Sequence, residues 1–133
     1  MSEENVERVR RLCRDWEQGN FATGLELYDP EIRLESFMPD AAEPVVAEGR
    51  EGIGRFMREF LASWRNYRYI GDDFRDAGDK VFVGGRQAAT GRQSGVEVEH
   101  EMHTVWTFRG GRVIGLKFTP YREEALEAAG LSE

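Results

Sequence analysis

The fold of this chain is decided by residues 96–118, which read VEVEHEMHTVWTFRGGRVIGLKF. Up to Phe108 the side chains at alternate positions fall into two sets. One set is Val96, Val98, His100, Met102, Thr104, Trp106 and Phe108, and the other is mostly charged or polar. An alternation of period two over the thirteen residues 96–108 predicts a long half-buried strand, because successive side chains of a strand point to opposite faces.

The glycine pair at 110–111 ends this alternation, and the apolar segment 113–118 runs back as a second strand. A two-residue loop would turn the apolar face of the return strand away from the core. We therefore expect a three-residue loop, residues 109–111, which pairs Trp106 with Ile114 and keeps the buried face continuous. The resulting hairpin would form the back wall of any cavity in the protein.

The composition is that of an ordinary globular protein. Its 133 residues, 40% apolar and 11% aromatic, predict a single domain spanning residues 1–133. No apolar run reaches the roughly 18–20 residues that a membrane helix needs. The charged start, MSEENVERVRR, lacks the apolar core of a signal peptide. A single cysteine, Cys13, excludes an intrachain disulfide, and we expect a cytoplasmic protein without a membrane partner.

Charge and motif spacing exclude several kinds of ligand. The formal net charge of −7 argues against a nucleic-acid partner, because a phosphate backbone is itself anionic. His100 and His103 would lie on opposite faces of a strand, so no metal site is predicted. Gly84-Gly85 lies within a strand pattern, which indicates a bulge and not a phosphate-binding loop. We expect no cofactor.

Hydrophobic spacing and turn residues predict the remaining elements. Helices are expected at residues 4–18, 21–28, 50–65 and 121–129, strands at 32–37, 68–75 and 80–90, and a loop at 39–48. Three helices followed by successive strands predict an α+β domain. A curved, mostly antiparallel sheet wrapped around the aromatic helix at 50–65 would make a cone with a central pocket.

Several motifs resemble a known family. The segments WEQGN at residues 16–20, LYDPEI at 27–32 and GREGI at 49–53 resemble the opening of the NTF2-like cone fold. The tail, residues 105–131, resembles the SnoaL-like branch of that superfamily. The resemblance implies the cone fold. It leaves the activity open among ketosteroid isomerases, polyketide cyclases, epoxide hydrolases, dehydratases and non-catalytic binding or association domains.

Individual family positions are retained only in part. The general base of ketosteroid isomerase lies at the end of the first strand, a position that falls at Glu35. The oxyanion tyrosine of that enzyme falls at Leu12, and its partner acid, also the position of the cyclase aspartate, falls at Thr104. The cyclase histidine falls near Gln87, and the arginine–aspartate pair of the epoxide hydrolases falls near Gly85 and Gln87. The resemblance thus implies a site that keeps one carboxylate and loses its other charged groups.

Two residues are candidates for catalysis. Glu35, if its face looks into the cone, would have its pKa raised by lost solvation and would suit a general base or acid. The alternative is a surface glutamate paired with Arg33. His100 is expected on the inward face, where it would shuttle protons near neutral pH. Its alternative is a half-solvated position at the frayed end of the strand.

Further residues are expected to form the pocket. Those expected to line or fill it are Trp16, Phe37, Phe56, Phe60, Met102, Trp106, Leu116 and Phe118. The alternative, which we favour for at least half of them, is plain core packing. Three polar residues that can hold a ligand carbonyl or hydroxyl are Gln87, Thr104 and Tyr121.

Two functions follow from these residues. The first is a cofactor-free acid–base isomerase or cyclase acting on a carbonyl-containing cyclic substrate, with Glu35 moving the proton. The second is a non-catalytic domain that binds a small apolar molecule or serves as a dimeric accessory. We also expect a homodimer through the outer face of the hairpin. That face carries His103, Val105, Thr107, Val113 and Gly115.

Overall fold

The computed structural model describes residues 2–38 and 41–132. In these ranges the helices are α1 (Ser2–Glu17), α2 (Gly49–Ala62) and α3 (Arg122–Ala128), with a 3₁₀ turn at Leu25–Leu27. The strands are β1 (Tyr28–Ser36), β2 (Val45–Glu48), β3 (Trp64–Ala77), β4 (Lys80–Gly91), β5 (Glu97–Glu101), β6 (His103–Arg109) and β7 (Arg112–Thr119).

The strands form one curved, open, mixed sheet. Its order is β2-β1-β7-β6-β4-β3, and β5 pairs with the part of β4 that extends past β6. Neighbouring strands run antiparallel except β1 and β7, which are parallel. The α+β class and the curved sheet are therefore as the sequence predicts.

Each face of the sheet packs against helices. On the inner face, Trp16 of α1 and Ile53 of α2 share one buried cluster with Leu34, Trp106 and Leu116 of the sheet. On the outer face, α3 buries Ala125, Leu126 and Ala129 against Phe82 and Val105. The inner face therefore holds the main core, and α3 covers only part of the outer face.

The prediction of three N-terminal helices is wrong, because residues 21–28 do not form a helix. Gly24 has a φ of +83°, a left-handed conformation that interrupts any helix, and only the short 3₁₀ turn follows it. Strand β1 then begins at Tyr28. The segment expected as a loop at 39–48 contains the edge strand β2, while Pro39 and Asp40 lie outside the described residues.

The hairpin is tighter than the sequence led us to expect. Arg109 pairs with Arg112 across a two-residue turn, in which Gly110 and Gly111 have φ values of +60° and +79°. Two consecutive positive φ angles are what a two-residue hairpin turn of this hand requires. A bulge in the next step places Trp106 opposite Leu116, so the apolar face is restored after the turn.

The long strand predicted at 96–108 is interrupted at Met102. There the Met102 N–H donates to the carbonyl of Gly85, and β5 and β6 continue on either side with the same inward face. His103, expected as an outward surface residue, is buried instead. Its Nε2 donates to Glu101 at 2.9 Å, and its Nδ1 accepts the Gly85 N–H. Val113 lies in the inner core and not on the outer face.

Candidate functional site

An inner pocket lies between α1, α2 and the inner face of the sheet. Its described lining is Trp16, Phe21, Ser36, Met38, Phe56, Met57, Phe60, Tyr67, Gln87, Met102 and Phe118. The cavity volume is about 20 Å³, which is room for one water molecule. Any larger occupant must displace lining side chains.

Helix α2 supplies one wall of this pocket. Phe56, Met57 and Phe60 recur at helical spacing, so they share the face that α2 turns towards the sheet. The ring centroids of Phe56 and Phe60 are 6.0 Å apart. Met57 carries an unbranched thioether, which changes rotamer readily and lets a pocket adapt to its occupant.

A chain of three polar side chains borders the pocket. The Tyr67 hydroxyl donates to Oε1 of Gln87 at 2.6 Å, and Nε2 of Gln87 lies 2.7 Å from Nε2 of His100. Because its oxygen is engaged by Tyr67, the amide turns its NH₂ group to His100, whose Nε2 accepts. His100 is neutral in this arrangement, with its proton on Nδ1. Burial raises the pKa of Tyr67, so the phenol remains a hydrogen-bond donor.

His100 reaches a second space, which we call the side groove. The side groove has a volume of about 110 Å³, and its described lining is Met38, Phe60, Trp64, Tyr67, Gln87, Ala88, Ala89, Val98 and His100. It shares Met38, Phe60, Tyr67 and Gln87 with the inner pocket. Gln87, only 6% exposed, thus lines both spaces and links them through its hydrogen bonds to Tyr67 and His100.

Thr104 belongs to a polar cluster behind the pocket. It is fully buried, and its Oγ1 accepts the indole N–H of Trp106 at 2.8 Å. The Tyr69 hydroxyl lies 3.3 Å from the same oxygen, and burial is the main cause that raises the pKa of Tyr69. Thr104 and Trp106 thus stabilise the core and are not among the residues that line the pocket.

Trp16 has a different hydrogen-bonding state from Trp106. Trp16 is 3% exposed, and its ring contacts the rings of Phe21, Tyr69, Trp106 and Phe118. Within the described parts of the chain, Nε1 of Trp16 is a buried side-chain nitrogen without a hydrogen-bond partner. Native proteins leave few buried polar groups in this state.

Glu35 does not look into the cone, which was the condition for its role as a general base or acid. Along β1 the buried residues Leu34 and Ser36 face inward, and the strict alternation turns Glu35 to the outer face beside Arg33. The Glu35 side chain is 36% exposed, and its Oε2 lies 3.5 Å from Nη2 of Arg33. Glu35 therefore occupies the alternative position, that of a surface glutamate paired with Arg33.

Three other expected pocket residues also lie elsewhere. Phe37 continues the outer face, where its ring lies 5.0 Å from the Lys117 ammonium. Tyr121, 46% exposed, directly precedes α3 on the outer side of the sheet. Leu116 is part of the inner core without lining the pocket. The structure thus brings six expected residues to the inner pocket: Trp16, Phe56, Phe60, Gln87, Met102 and Phe118.

The sequence analysis missed five pocket residues. They are Phe21, Ser36, Met38, Met57 and Tyr67. Tyr67 was missed because β3 begins earlier than predicted, although Tyr67 and Tyr69 alternate with charged residues as strand residues do. The inward position of Ser36 follows from the same alternation along β1 that turns Glu35 outward.

Other reactive groups add little to this site. Burial raises the pKa of the Cys13 thiol to about 12, which makes it a poor nucleophile at neutral pH. The described residues contain no group of three or more metal-ligating side chains. Nor do they include a helix long and apolar enough to cross a membrane.

Comparison with known proteins places this geometry in context. Residues 9–116 match the family profile of the SnoaL-like domain. No curated protein sequence matches the chain. Many solved structures share its fold at low sequence identity, and three of them illustrate the range.

An NTF2-like protein from Burkholderia thailandensis is 20% identical, with a TM-score of 0.76 and coverage of 96% of this chain and 97% of that chain. A Jannaschia protein assigned as a SnoaL-like polyketide cyclase is 21% identical, with a TM-score of 0.75 and coverage of 89% and 85%. A Catenulispora acidiphila protein with a ketosteroid isomerase-like fold, solved with trimethylamine, is 17% identical, with a TM-score of 0.71 and coverage of 95% and 94%.

Proposed function

This chain belongs to the SnoaL-like domain family, and we propose that it binds a small, uncharged, largely apolar molecule in its inner pocket without transforming it. The observation behind this proposal is the chemical character of the described pocket lining. It is built from aromatic rings and methionines with one amide, one serine and one un-ionised tyrosine. Such a lining favours apolar ligands, because burying an unpaired charge there would cost free energy without compensation.

The position of Glu35 supports binding over catalysis. Proton abstraction next to a carbonyl needs a base within hydrogen-bond reach of the substrate. The carboxylate that the family resemblance points to lies on the other face of the sheet, paired with Arg33. An occupant of the inner pocket is thus separated from Glu35 by the sheet itself.

The methionine methyl groups offer a direct test of binding. Three of the four methionines, Met38, Met57 and Met102, line the pocket, so their ¹H–¹³C resonances report its occupation. We expect titration with 1-indanone, a flat uncharged ketone, to shift these three resonances in a saturable manner. Unchanged resonances at the solubility limit of 1-indanone would contradict the proposal.

Two adjacent substitutions on β1 form a matched pair for this test. Ser36→Leu adds an apolar side chain inside the pocket and is expected to weaken 1-indanone binding at least tenfold. Glu35→Leu adds the same side chain on the outer face and is expected to leave the affinity unchanged. Equal effects of the two variants would show that the ligand binds elsewhere.

A second candidate function, acid–base catalysis by His100, is favoured by the chain Tyr67–Gln87–His100. In the resting arrangement the lone pair of His100 Nε2 is engaged by the Gln87 amide. A ligand oxygen that takes up the Gln87 NH₂ group would release that lone pair beside the ligand. His100 would then serve as a base near neutral pH.

Hydrogen–deuterium exchange at carbon separates catalysis from simple binding. An acid–base enzyme is expected to accelerate deuterium incorporation at C2 of 1-indanone in D₂O, and His100→Leu should return the rate to the buffer background. Gln87→Met, which keeps the side-chain length and removes the amide, should also lower it. A background rate with the unmodified protein, together with saturable methyl shifts, would support binding alone.

We further propose that the chain forms a homodimer through the part of the outer face that α3 leaves uncovered. That part includes a groove of about 290 Å³ bordered by Arg33, Glu35, Thr107, Gly115 and Lys117 among others. Val46, on the neighbouring edge strand, is 42% exposed. Light scattering of the purified chain tests this proposal, and a monomer would contradict it.

A further inference from the structure

We infer that the indole N–H of Trp16 is a recognition group that donates a hydrogen bond to an acceptor atom on the ligand of the inner pocket. This inference rests on the proposed binding function and narrows the class of ligand. It identifies an uncharged, mainly apolar molecule that carries a carbonyl-type oxygen. The pocket itself supplies the apolar contacts, and Trp16 supplies the polar one.

The first observation is the missing partner of Trp16. Its nitrogen is buried, and among the described residues it has no hydrogen-bond partner. A buried donor without a partner destabilises the folded state, since it has lost its hydrogen bonds to water. An external acceptor removes that loss, so a ligand that supplies one gains affinity from it.

Comparison with Trp106 shows that this state is specific to one residue. The two indoles lie side by side, with ring centroids 5.5 Å apart, in the same buried cluster. Trp106 donates to Thr104 at 2.8 Å, a partner two residues away on the same face of the strand. Trp16 contacts the rings of Phe21, Tyr69 and Phe118, and among the described residues none accepts a hydrogen bond from its Nε1.

The second observation is that Trp16 lines the inner pocket. The pocket as it stands admits about one water molecule. A ligand therefore enters by moving soft lining groups such as Met38 and Met57, and this movement opens the pocket beside the indole. An acceptor on the ligand then reaches a donor that has no competing partner in the protein.

The uncharged lining sets the character of the acceptor. Tyr67 is kept protonated by burial, and Gln87 is neutral. A carboxylate ligand would have no cation to pair with among the described lining residues, so a ketone, quinone or ester oxygen fits better. Hydrocarbons of the same shape fill the pocket without satisfying Trp16.

The experiment compares 1-indanone with indane, its counterpart without the oxygen. The three tryptophans, residues 16, 64 and 106, each give one indole ¹H–¹⁵N resonance, and Trp16→Phe assigns the relevant signal. We expect 1-indanone to move the Trp16 indole proton downfield and indane to leave it nearly unmoved. We also expect 1-indanone to bind about fivefold more tightly than indane, the effect of one net hydrogen bond.

Two variants test the origin of that ratio. Trp16→Phe keeps an aromatic ring and removes the donor, so the affinity ratio should fall to about one. Trp106→Phe makes the same change at an indole that donates within the protein, so the ratio should persist. A ratio that survives in Trp16→Phe, or an absent ratio in the unmodified protein, would overturn the inference.

The methionine methyl resonances distinguish this failure from failure of the proposed function. Saturable methyl shifts with both probes and an unmoved Trp16 indole would leave the binding pocket intact and overturn only the role of Trp16. Methyl resonances that respond to neither probe would overturn both proposals. The indole readout uses the unmodified protein, so it holds even if Trp16→Phe fails to fold.

Discussion

At residue scale, Gly85 shows how closely β3 and β4 approach each other. A Cβ atom at this position would lie 2.3 Å from the carbonyl oxygen of Ile70 and 3.1 Å from the Tyr69 hydroxyl. The nearer obstacle is backbone, so it can move only if the sheet itself deforms. We expect Gly85→Ala to lower the free energy of unfolding by about 1–3 kcal/mol, as measured by urea denaturation.

Gly52 provides the control for this prediction. It lies inside α2, where an added Cβ would come no closer than 3.9 Å to its surroundings. Alanine is a better helix former than glycine, so Gly52→Ala should raise the free energy of unfolding by about 0.5–1 kcal/mol. If both variants shift the urea midpoint in the same direction, the close contact at Gly85 is not the cause.

Glu35 shows how far single-residue prediction reaches. The sequence alone separates Ile32 and Leu34 from Arg33 and Glu35, and the structure keeps this division. An inward position for Glu35 follows only from the family resemblance, in which a general base lies at this point of the first strand. The physical preference is the opposite, since the apolar set gains from burial and the charged pair gains from solvent. A pattern of alternation predicts partition between faces, and hydrophobicity decides which face is buried.

At the scale of elements, Asp73 links the sheet to the C-terminal helix. Its Oδ2 accepts a hydrogen bond from Nη2 of Arg122 at 2.7 Å, and its carboxylate also accepts two from Arg75 at 3.1 Å. Both guanidinium groups lie over the ring of Phe82, which α3 helps to bury. These hydrogen bonds from Arg75 and Arg122 lower the pKa of Asp73 below its ordinary value of 3.8.

This pKa shift has a definite consequence for stability. A carboxyl whose pKa is lower in the folded state stabilises the fold above its unfolded pKa, and the contribution disappears as the pH falls through the folded pKa. We expect Asp73→Asn to cost about 1 kcal/mol at pH 7, a value kept small because the side chain is 32% exposed. The difference from the unmodified protein should shrink below about pH 4.

Asp72→Asn is the matched control. Asp72 is the neighbouring carboxylate, 62% exposed, and its ion pair with Arg86 is long at 3.9 Å. Thermal unfolding of the two variants at pH 7 and pH 3 checks the prediction. An Asp72 variant that loses as much stability as the Asp73 variant would mean that total charge, and not the link to α3, is responsible.

The hairpin shows which properties of elements a sequence hides. Its two strands and its glycine turn were predictable from alternation and from Gly110-Gly111. Its loop length was not predictable, because the buried face is kept both by a three-residue loop and by a two-residue turn that is followed by a bulge. The chain combines the tighter turn with a bulge near Thr107, and a bulge leaves no signal in a pattern read two residues at a time. The prediction of a helix at residues 21–28 was wrong for a related reason. The left-handed conformation of Gly24 interrupts the helix even though the apolar residues around it have helical spacing.

At the scale of the whole molecule, the cone itself was predictable and its cavity was not. The order of helices and strands, together with the family resemblance, was enough for the α+β class and the curved sheet. The pocket depends on residues that meet from seven separate parts of the chain, among them Phe21, Ser36 and Tyr67. Its size depends on rotamers of Met38 and Met57, which sequence periodicity does not specify.

The arrangement of the two faces predicts how whole molecules associate. The inner face is covered by α1 and α2, whereas α3 covers only the part of the outer face around Phe82 and Val105. The remaining outer face carries the ion pair of Arg33 with Glu35, and at its border Lys117 lies 4.0 Å from the carboxylate of Glu124 in α3. In a two-fold symmetric interface through this face, a contact between a positive group of one copy and a negative group of the other would occur twice, once in each direction.

We therefore expect the chain to scatter light with twice the mass of one protomer, and Thr107→Arg to convert it to a monomer. Thr107 is half-buried on the uncovered face, opposite Gly115, so an added arginine would place a large charged side chain inside the proposed interface and force its desolvation. Gln93→Arg adds the same charge in the exposed turn between β4 and β5 and should leave the dimer intact. If Thr107→Arg remains dimeric with an unchanged urea midpoint, the interface lies on another face. The edges of β2 and β3, which are the two ends of the strand order, would then be the surfaces to test next, because an edge strand offers backbone groups for pairing with a second copy.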